Sequence, residues 1–233
     1  MKINQLEFDG ILIELRRKPI KNMTLRIYPP DGRVAISAPL KLKLDFITQQ
    51  LETKRAWIHK QRELFKARAQ AKPIACYESG EKHEFLGARY PLLFLQTEKE
   101  KHVILKDEII YCFSKKNLII AERQKLLESW YQQQMKAVLP ELFAKWETII
   151  GVSASSWNLR KMRSRWGSCH PVKKQICLNL NLIKKPLSCI EYVLVHELVH
   201  LLEASHNKRF HALMDKFLPE WRSLKLMLSQ GEL

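Results

Sequence analysis

The spacing of hydrophobic residues changes along this chain, and this change constrains the fold more than any other feature of the sequence. In the first forty residues apolar side chains alternate with polar neighbours, as in Ile11, Ile13 and Leu15, which is typical of strands with one buried face. After Pro39 the apolar residues recur at helical spacing. The pattern predicts a β meander that gives way to helix, and therefore an α+β fold.

The middle of the chain repeats this change of period. The expected elements are a helix from Asp45, as its N-cap, to about residue 71, short strands near 83–95 and 102–112, and a helix over 116–150. Pro140 predicts a kink or break in the last of these helices. A turn is expected at Pro29-Pro30-Asp31-Gly32, and no internal repeat is apparent in the sequence.

The last third of the chain predicts a hairpin followed by a helix. Residues 155–165 are expected to form a basic strand, Trp166 to Pro171 the turn, and residues 176–182 the second strand. Ser188 and Glu191 have the spacing of a capping box, which predicts that a helix begins there and continues through the 190s.

The composition is that of a globular protein with an excess of positive charge. The chain has 233 residues, 40 Lys and Arg against 24 Asp and Glu, and a formal charge of +16. Such a charge is compatible with a nucleic-acid partner but does not identify one, because the basic residues are scattered. The sequence leaves the oligomeric state undetermined.

The compartment is predicted from segments that the sequence lacks. No apolar run is long enough to span a membrane, and the N-terminus has no apolar signal segment. We therefore expect a cytoplasmic protein without a membrane partner. The five unclustered cysteines favour reduced, mostly buried thiols over disulfides or a cysteine-ligated metal.

The run His196-Glu197-Leu198-Val199-His200 carries the strongest chemical signal in the sequence. Two histidines four residues apart share one face of a helix, which is the spacing that two ligands of a single Zn²⁺ need. Glu197 lies beside the first histidine, where it can take a proton from a water molecule without binding the metal. The pattern predicts one zinc ion, with Glu197 as the catalytic residue.

The third ligand is expected a short distance further along the chain. His206 follows His196 by ten residues and can approach it if the helix ends near Leu202. Ser205 or Asn207 could then cap a second helix, with an apolar stripe that is formed by Phe210, Leu213, Met214 and Phe217. His211 is a weaker candidate, for which a surface or packing role is favoured.

Three further residues are candidates for contacts in the cleft. Tyr192 lies one helical turn before His196 and could reach the site, although ordinary packing is the commoner role of a helical tyrosine. Asn179 or Asn181 could border the cleft or pair with an extended peptide. Trp166 could shape the rim of the cleft, and a buried indole that anchors a turn is the alternative.

Several of these segments together resemble the YgjP-like metallopeptidases, a family related to the SprT-like zinc proteases. The similar segments are Arg163-Ser164-Arg165-Trp166-Gly167-Ser168-Cys169, Ile176-Cys177-Leu178-Asn179, Pro186, Tyr192-Val193, His196 to Leu201, and His206 with Phe210. Weaker similarity includes Asp31-Gly32, Ala38-Pro39 and the residues 54–57.

The resemblance covers residues 11–228 and implies a zincin-like core of helix and hairpin that follows a β-rich N-terminal part. We divide the chain into residues 1–115, the β meander with its basic helix, and residues 116–233, the catalytic part. The resemblance also implies that His196, His200 and His206 bind the metal and that Glu197 is catalytic.

The predicted activity is zinc-dependent hydrolysis of peptide bonds in a peptide or protein substrate. A metal-dependent endonuclease is an alternative, because three histidines at this spacing also resemble the site of bacterial endoribonucleases that mature ribosomal RNA, and a positive charge suits a phosphate substrate. Glu197 favours the peptidase, because the resemblance implies no glutamate at this position in those endoribonucleases, whereas peptide hydrolysis uses a base there. A protease that acts on proteins bound to DNA or RNA would combine both features.

Overall fold

The computed structural model of the chain describes residues 3–28, 31–71, 76–98 and 100–230 and has two compact units, Met1–Ala75 and Cys76–Leu233. Each unit has its own core of buried apolar residues. The fold is α+β, with β-rich segments first and most of the helices later. The division between the units lies earlier in the chain than the subdivision after residue 115 that the sequence suggested.

The first unit is a four-stranded sheet followed by two helices. Its elements are β1 (Ile3–Phe8), β2 (Ile11–Lys18), β3 (Thr24–Tyr28), β4 (Arg33–Pro39), α1 (Leu44–Thr53) and α2 (Arg55–Ala71). The strand order is β1-β2-β4-β3, with β4 parallel to β2 and antiparallel to β3. The predicted meander is therefore wrong. Val34, Ala35 and Ile36 are all buried, which suits a central strand better than an edge strand.

The helical segment of this unit is interrupted, where the sequence predicted one continuous helix. Lys54 has non-helical φ and ψ angles of −105° and 8° and separates α1 from α2. The N-cap of α1 is Lys43, without a side-chain hydrogen bond. Asp45 lies instead within the first turn, where its charge stabilises the positive end of the helix dipole. Pro29 and Pro30 of the predicted turn lie outside the described residues.

The second unit contains seven strands, four helices and one 3₁₀ helix within the part of the chain that the structure describes. They are β5 (Lys82–Phe85), β6 (Ala88–Gln96), β7 (His102–Lys106), β8 (Ile109–Ser114), α3 (Ile120–Ile150), β9 (Ser156–Arg160), β10 (Gly167–His170), β11 (Gln175–Asn179), the 3₁₀ helix Leu180–Lys184, α4 (Leu187–Val199), α5 (Lys208–Phe217) and α6 (Trp221–Gln230). The strands predicted near 83–95 and 102–112 are confirmed.

The four-stranded sheets of the two units have the same topology. The order β5-β6-β8-β7, with β6 parallel to β8, reproduces the arrangement of the first sheet. In each sheet the first hairpin turns through two residues of positive φ, Asp9-Gly10 in one and Leu86-Gly87 in the other, which is the geometry of tight two-residue hairpins. The structure thus contains a repeat that was not apparent in the sequence.

Helix α3 is continuous through Pro140, so the predicted break is wrong. Pro140 is exposed, and the backbone carbonyl that loses its helical donor lies on a face where water can replace it. Leu139, Leu142 and Phe143 are buried next to it. Their packing maintains the helix across the proline.

A three-stranded sheet precedes the helix that carries the histidine pair. Strand β11 lies in its centre, antiparallel to β10 and parallel to β9. The hairpin therefore joins β10 to β11 through residues 171–174, where Lys174 has a positive φ. The predicted hairpin between residues 155–165 and 176–182 is wrong, because that basic segment pairs in parallel with β11 and so cannot be joined to it by a short turn.

Helix α4 begins at Leu187 with Pro186 as its N-cap, and the predicted capping box does not form. Glu191 instead accepts hydrogen bonds from Trp146 Nε1 at 2.7 Å and Lys145 Nζ at 2.6 Å. The carboxylate thus joins α4 to α3. No helix within the described residues is both long and apolar enough to cross a membrane.

Candidate metal centre

Helix α4 and its C-cap residue, His200, hold the first two histidines on one face. The helix is apolar almost throughout, and Leu194, Val195 and Leu198 are fully buried. His196 and His200 lie one turn apart, with ring centroids 4.9 Å from each other. The burial of the rest of the helix fixes the direction in which this pair of imidazoles points.

The chain turns back after α4 and brings His206 to the same place. Nε2 of His206 lies 3.0 Å from Nε2 of His196, and its ring centroid is 4.7 Å from that of His200. Asn207 is the N-cap of α5, and its Oδ1 accepts a hydrogen bond from the backbone N–H of Phe210 at 3.0 Å. Of the two predicted caps, Asn207 is thus the one that forms.

Phe210 lies behind all three imidazoles. Its ring centroid is 4.9 Å from that of His196 and 4.7 Å from those of His200 and His206. The residue is 1% exposed, so the phenyl ring is a fixed apolar wall. The sequence predicted Phe210 as part of an apolar stripe, which is correct, but gave no sign of its contact with the histidines.

The three histidines satisfy the geometric requirements of a metal site. One ring nitrogen from each lies within 4.8 Å of the other two. Nδ1 of His200 lies 3.1 Å from the backbone carbonyl oxygen of Glu203, to which it can only donate. This hydrogen bond fixes the tautomer in which Nε2 carries the lone pair, as is usual for a metal-binding histidine. The residues present therefore fit a divalent cation.

The surroundings of His196 and His206 favour the neutral form of these two imidazoles. Burial, reinforced by the neighbouring His200 and His206, lowers the pKa of His196 to about 3. Burial, reinforced by the neighbouring His200 and His211, lowers the pKa of His206 as well. Neutral imidazole is the form that binds metal, so both shifts reduce the competition between protons and a cation at His196 and His206.

Glu197 is buried between the helix and strand β10. It is 5% exposed, and burial raises its pKa to about 8, an effect that the positive charge of Arg165 partly opposes. A divalent cation nearby would favour the ionised form, because an opposite charge lowers the pKa of a carboxyl group. The carboxyl group is therefore suited to exchange a proton next to a metal.

Asn179 is part of the scaffold of the site. It is fully buried, and its Nδ2 donates hydrogen bonds to the carbonyl oxygens of Met162 and Arg165, both at 2.9 Å. Its Oδ1 accepts from the backbone N–H groups of Met162 and Asn181. These bonds fix the loop that leads into β10 and leave the amide unavailable to an extended peptide.

The remaining candidates lie at the border of the site. Tyr192 is 6% exposed, with its ring 6.0 Å from that of His196, and burial and the charge of Glu197 raise its pKa to about 12. Trp166 is half-buried, and Lys185 Nζ lies 5.9 Å from the centroid of its ring. His211 stacks on Trp221 at 5.6 Å. This contact agrees with the packing role that the sequence analysis favoured for His211.

Comparison with known proteins identifies one family. The sequence profile of the family described as "YgjP-like, metallopeptidase domain" matches residues 21–230. None of the curated proteins compared with this chain matches it.

Two crystal structures of archaeal metallopeptidase zymogens are similar to part of this chain. Abylysin from Pyrococcus abyssi is 19% identical over 41% of this chain and 99% of its own, with a TM-score of 0.37. Jannalysin from Methanocaldococcus jannaschii is 18% identical over 39% of this chain and 93% of its own, with a TM-score of 0.35.

Proposed function

The chain belongs to the YgjP-like metallopeptidase family, and we propose that it hydrolyses peptide bonds with one zinc ion bound by His196, His200 and His206. The observation that carries this proposal is the convergence of the three imidazoles beside Glu197. Three neutral nitrogen ligands suit zinc and leave a position open for water, which distinguishes catalytic from structural zinc sites.

Each residue of the site has a separate task in this proposal. When bound, zinc supplies Lewis acidity, which polarises the substrate carbonyl and lowers the pKa of water toward about 7. The carboxylate of Glu197 takes the proton from the attacking water and returns it to the nitrogen of the leaving amine. Phe210 excludes water from the far side of the imidazoles, and the carbonyl group of Glu203 orients His200.

The experiment compares the zinc-loaded wild type with Glu197→Gln on casein and on a mixture of fluorogenic peptides. General-base catalysis contributes roughly 10²- to 10⁴-fold, so the variant should keep one zinc per chain and lose at least about 100-fold in kcat. The matched control is Glu220→Gln, at an exposed glutamate of the same unit. A Glu197→Gln enzyme with the activity of the wild type would remove Glu197 from the mechanism.

A nucleic-acid substrate is the second candidate, and the formal charge of +16 favours it. The same panel therefore includes single-stranded RNA, and casein in the presence and absence of DNA. RNA cleavage without proteolysis would overturn the proposed activity, whereas proteolysis stimulated by DNA would extend it to proteins bound to nucleic acid.

A further inference from the structure

Gly167, the first residue of β10, differs from the other glycines within the described residues. Five of them have the positive φ that favours glycine: Gly10, Gly32, Gly80, Gly87 and Gly151. Gly167 does not, so its backbone is open to any residue. Glycine is therefore required at position 167 because there is no room for a side chain, and not because of the backbone φ angle.

The space beside Gly167 is filled by the side chain of Glu197. A Cβ atom on Gly167 would lie 2.8 Å from Cγ and 2.9 Å from Cδ of Glu197, and it would clash with Oε1. Carbon atoms in proteins do not pack this closely. The backbone of β10 thus forms one wall of the pocket that holds the carboxyl group.

Neither wall of this pocket can move easily. Leu198 and Val199, which follow Glu197 in α4, are fully buried. Gly167 pairs with Leu178 in the central strand, and the carbonyl oxygen of Trp166 accepts a hydrogen bond from the N–H of Asn179 at 2.8 Å. An added methyl group would therefore displace the Glu197 side chain rather than the backbone.

We propose that Gly167 is a positioning residue, whose missing side chain sets the position of the Glu197 carboxyl group. The inference rests on the proposed function, because it gives that carboxyl group the proton transfer. It also explains why this position is glycine, although its backbone conformation would accept any amino acid.

The first test measures kcat, KM and zinc content of Gly167→Ala. Since a shift of about 1 Å in a catalytic group can cost about 100-fold in rate, we expect kcat to fall at least tenfold, with KM within twofold of the wild type and one zinc per chain. Ser168→Ala is the matched control, because successive side chains of a strand point to opposite faces. An unchanged kcat in Gly167→Ala would overturn the inference.

The second test uses the metal-free proteins and needs no activity. Gly167→Ala should lower the melting temperature by about 3 °C or more, as expected for overpacking in a unit of this size. In the Glu197→Ala background, which removes the clashing atoms, the same substitution should lower it by less than about 1 °C. Equal effects in both backgrounds would overturn the inference.

The two measurements separate failure of the inference from failure of the proposed function. A wild type that cleaves no peptide, together with a melting temperature that depends on the background, would refute the peptidase proposal and support the contact between Gly167 and Glu197. A wild type that cleaves peptides, together with a Gly167→Ala variant of unchanged kcat and melting temperature, would support the peptidase proposal and refute the positioning role of Gly167.

Discussion

Nε2 of His206 lies 3.0 Å from Nε2 of His196, although ten positions of sequence separate the two residues. The approach is possible because α4 ends at Val199. The carbonyl oxygen of Val199 then accepts from the N–H groups of Leu202 at 2.9 Å and Glu203 at 3.0 Å. These bonds close a compact turn that directs the chain back to the first histidine.

The loss of His206 should disable metal binding, whereas the loss of His211 should not. We expect His206→Ala to bind zinc at least about 100-fold more weakly, since even indirect partners of metal ligands are worth 10- to 100-fold in affinity. His211→Ala is the control, because that ring stacks on Trp221. The measurement is a competition titration with a zinc chelator. Equal affinities would remove His206 from the metal site.

Asn207 should stabilise the turn that carries His206. Its side chain caps α5 through the N–H of Phe210, and replacement of such a cap by alanine costs about 1 kcal/mol. For a unit of this size Asn207→Ala should therefore lower the melting temperature by about 2 to 4 °C. Thermal unfolding followed by circular dichroism checks this.

Ser205→Ala is the control for Asn207→Ala. The carbonyl oxygen of Ser205 accepts from the N–H of Asn207 at 2.8 Å, and a backbone bond of this kind survives the substitution. A larger loss of stability in Ser205→Ala than in Asn207→Ala would contradict the assignment of the cap.

The elements of the fold could be predicted from hydrophobic periodicity, but the order of the strands could not. The alternation around Ile11, Ile13 and Leu15 depends only on local neighbours and correctly indicated a strand. The position of β4 between β2 and β3 depends on burial of its two faces against other parts of the unit. Likewise, Glu191 had a suitable partner nearby in sequence, but Trp146 and Lys145 of α3 compete for its carboxylate.

The candidate site shows the same limit. The spacing of His196 and His200 follows from the helical repeat alone, and the sequence therefore predicted that they share a face. The contacts of Phe210, Gly167 and Asn179 exist only in the folded unit. No separate signal for Gly167 was present in the sequence, because a glycine in a segment that was predicted to turn is explained by the turn itself.

Asn179 should be more important for catalysis than its distance in sequence from Glu197 suggests. Asn179→Ala removes the amide that fixes the loop carrying Arg165, and with it the hydrogen bonds to the backbone carbonyl groups of Met162 and Arg165, each worth about 0.5 to 1.5 kcal/mol. We expect the melting temperature to fall by at least about 4 °C and kcat to fall with it.

Asn181→Ala is the matched control for this effect. Asn181 donates to Asn179 through its backbone N–H at 3.1 Å, and this bond does not depend on its side chain. The variant should unfold within about 1 °C of the wild type. If the two variants lose the same stability, the loop does not depend on the amide of Asn179.

The cysteines should differ sharply in their reaction with iodoacetamide at pH 8. Cys112 is fully buried in β8, and burial raises its pKa to about 12, so the thiol remains protonated and inaccessible in the native protein. Cys76 is exposed, contrary to the expectation that all five thiols are mostly buried. Peptide mass spectrometry should find Cys76 modified first and Cys112 modified only in denaturant. Modification of both at the same rate in the native protein would mean that the core around β8 opens.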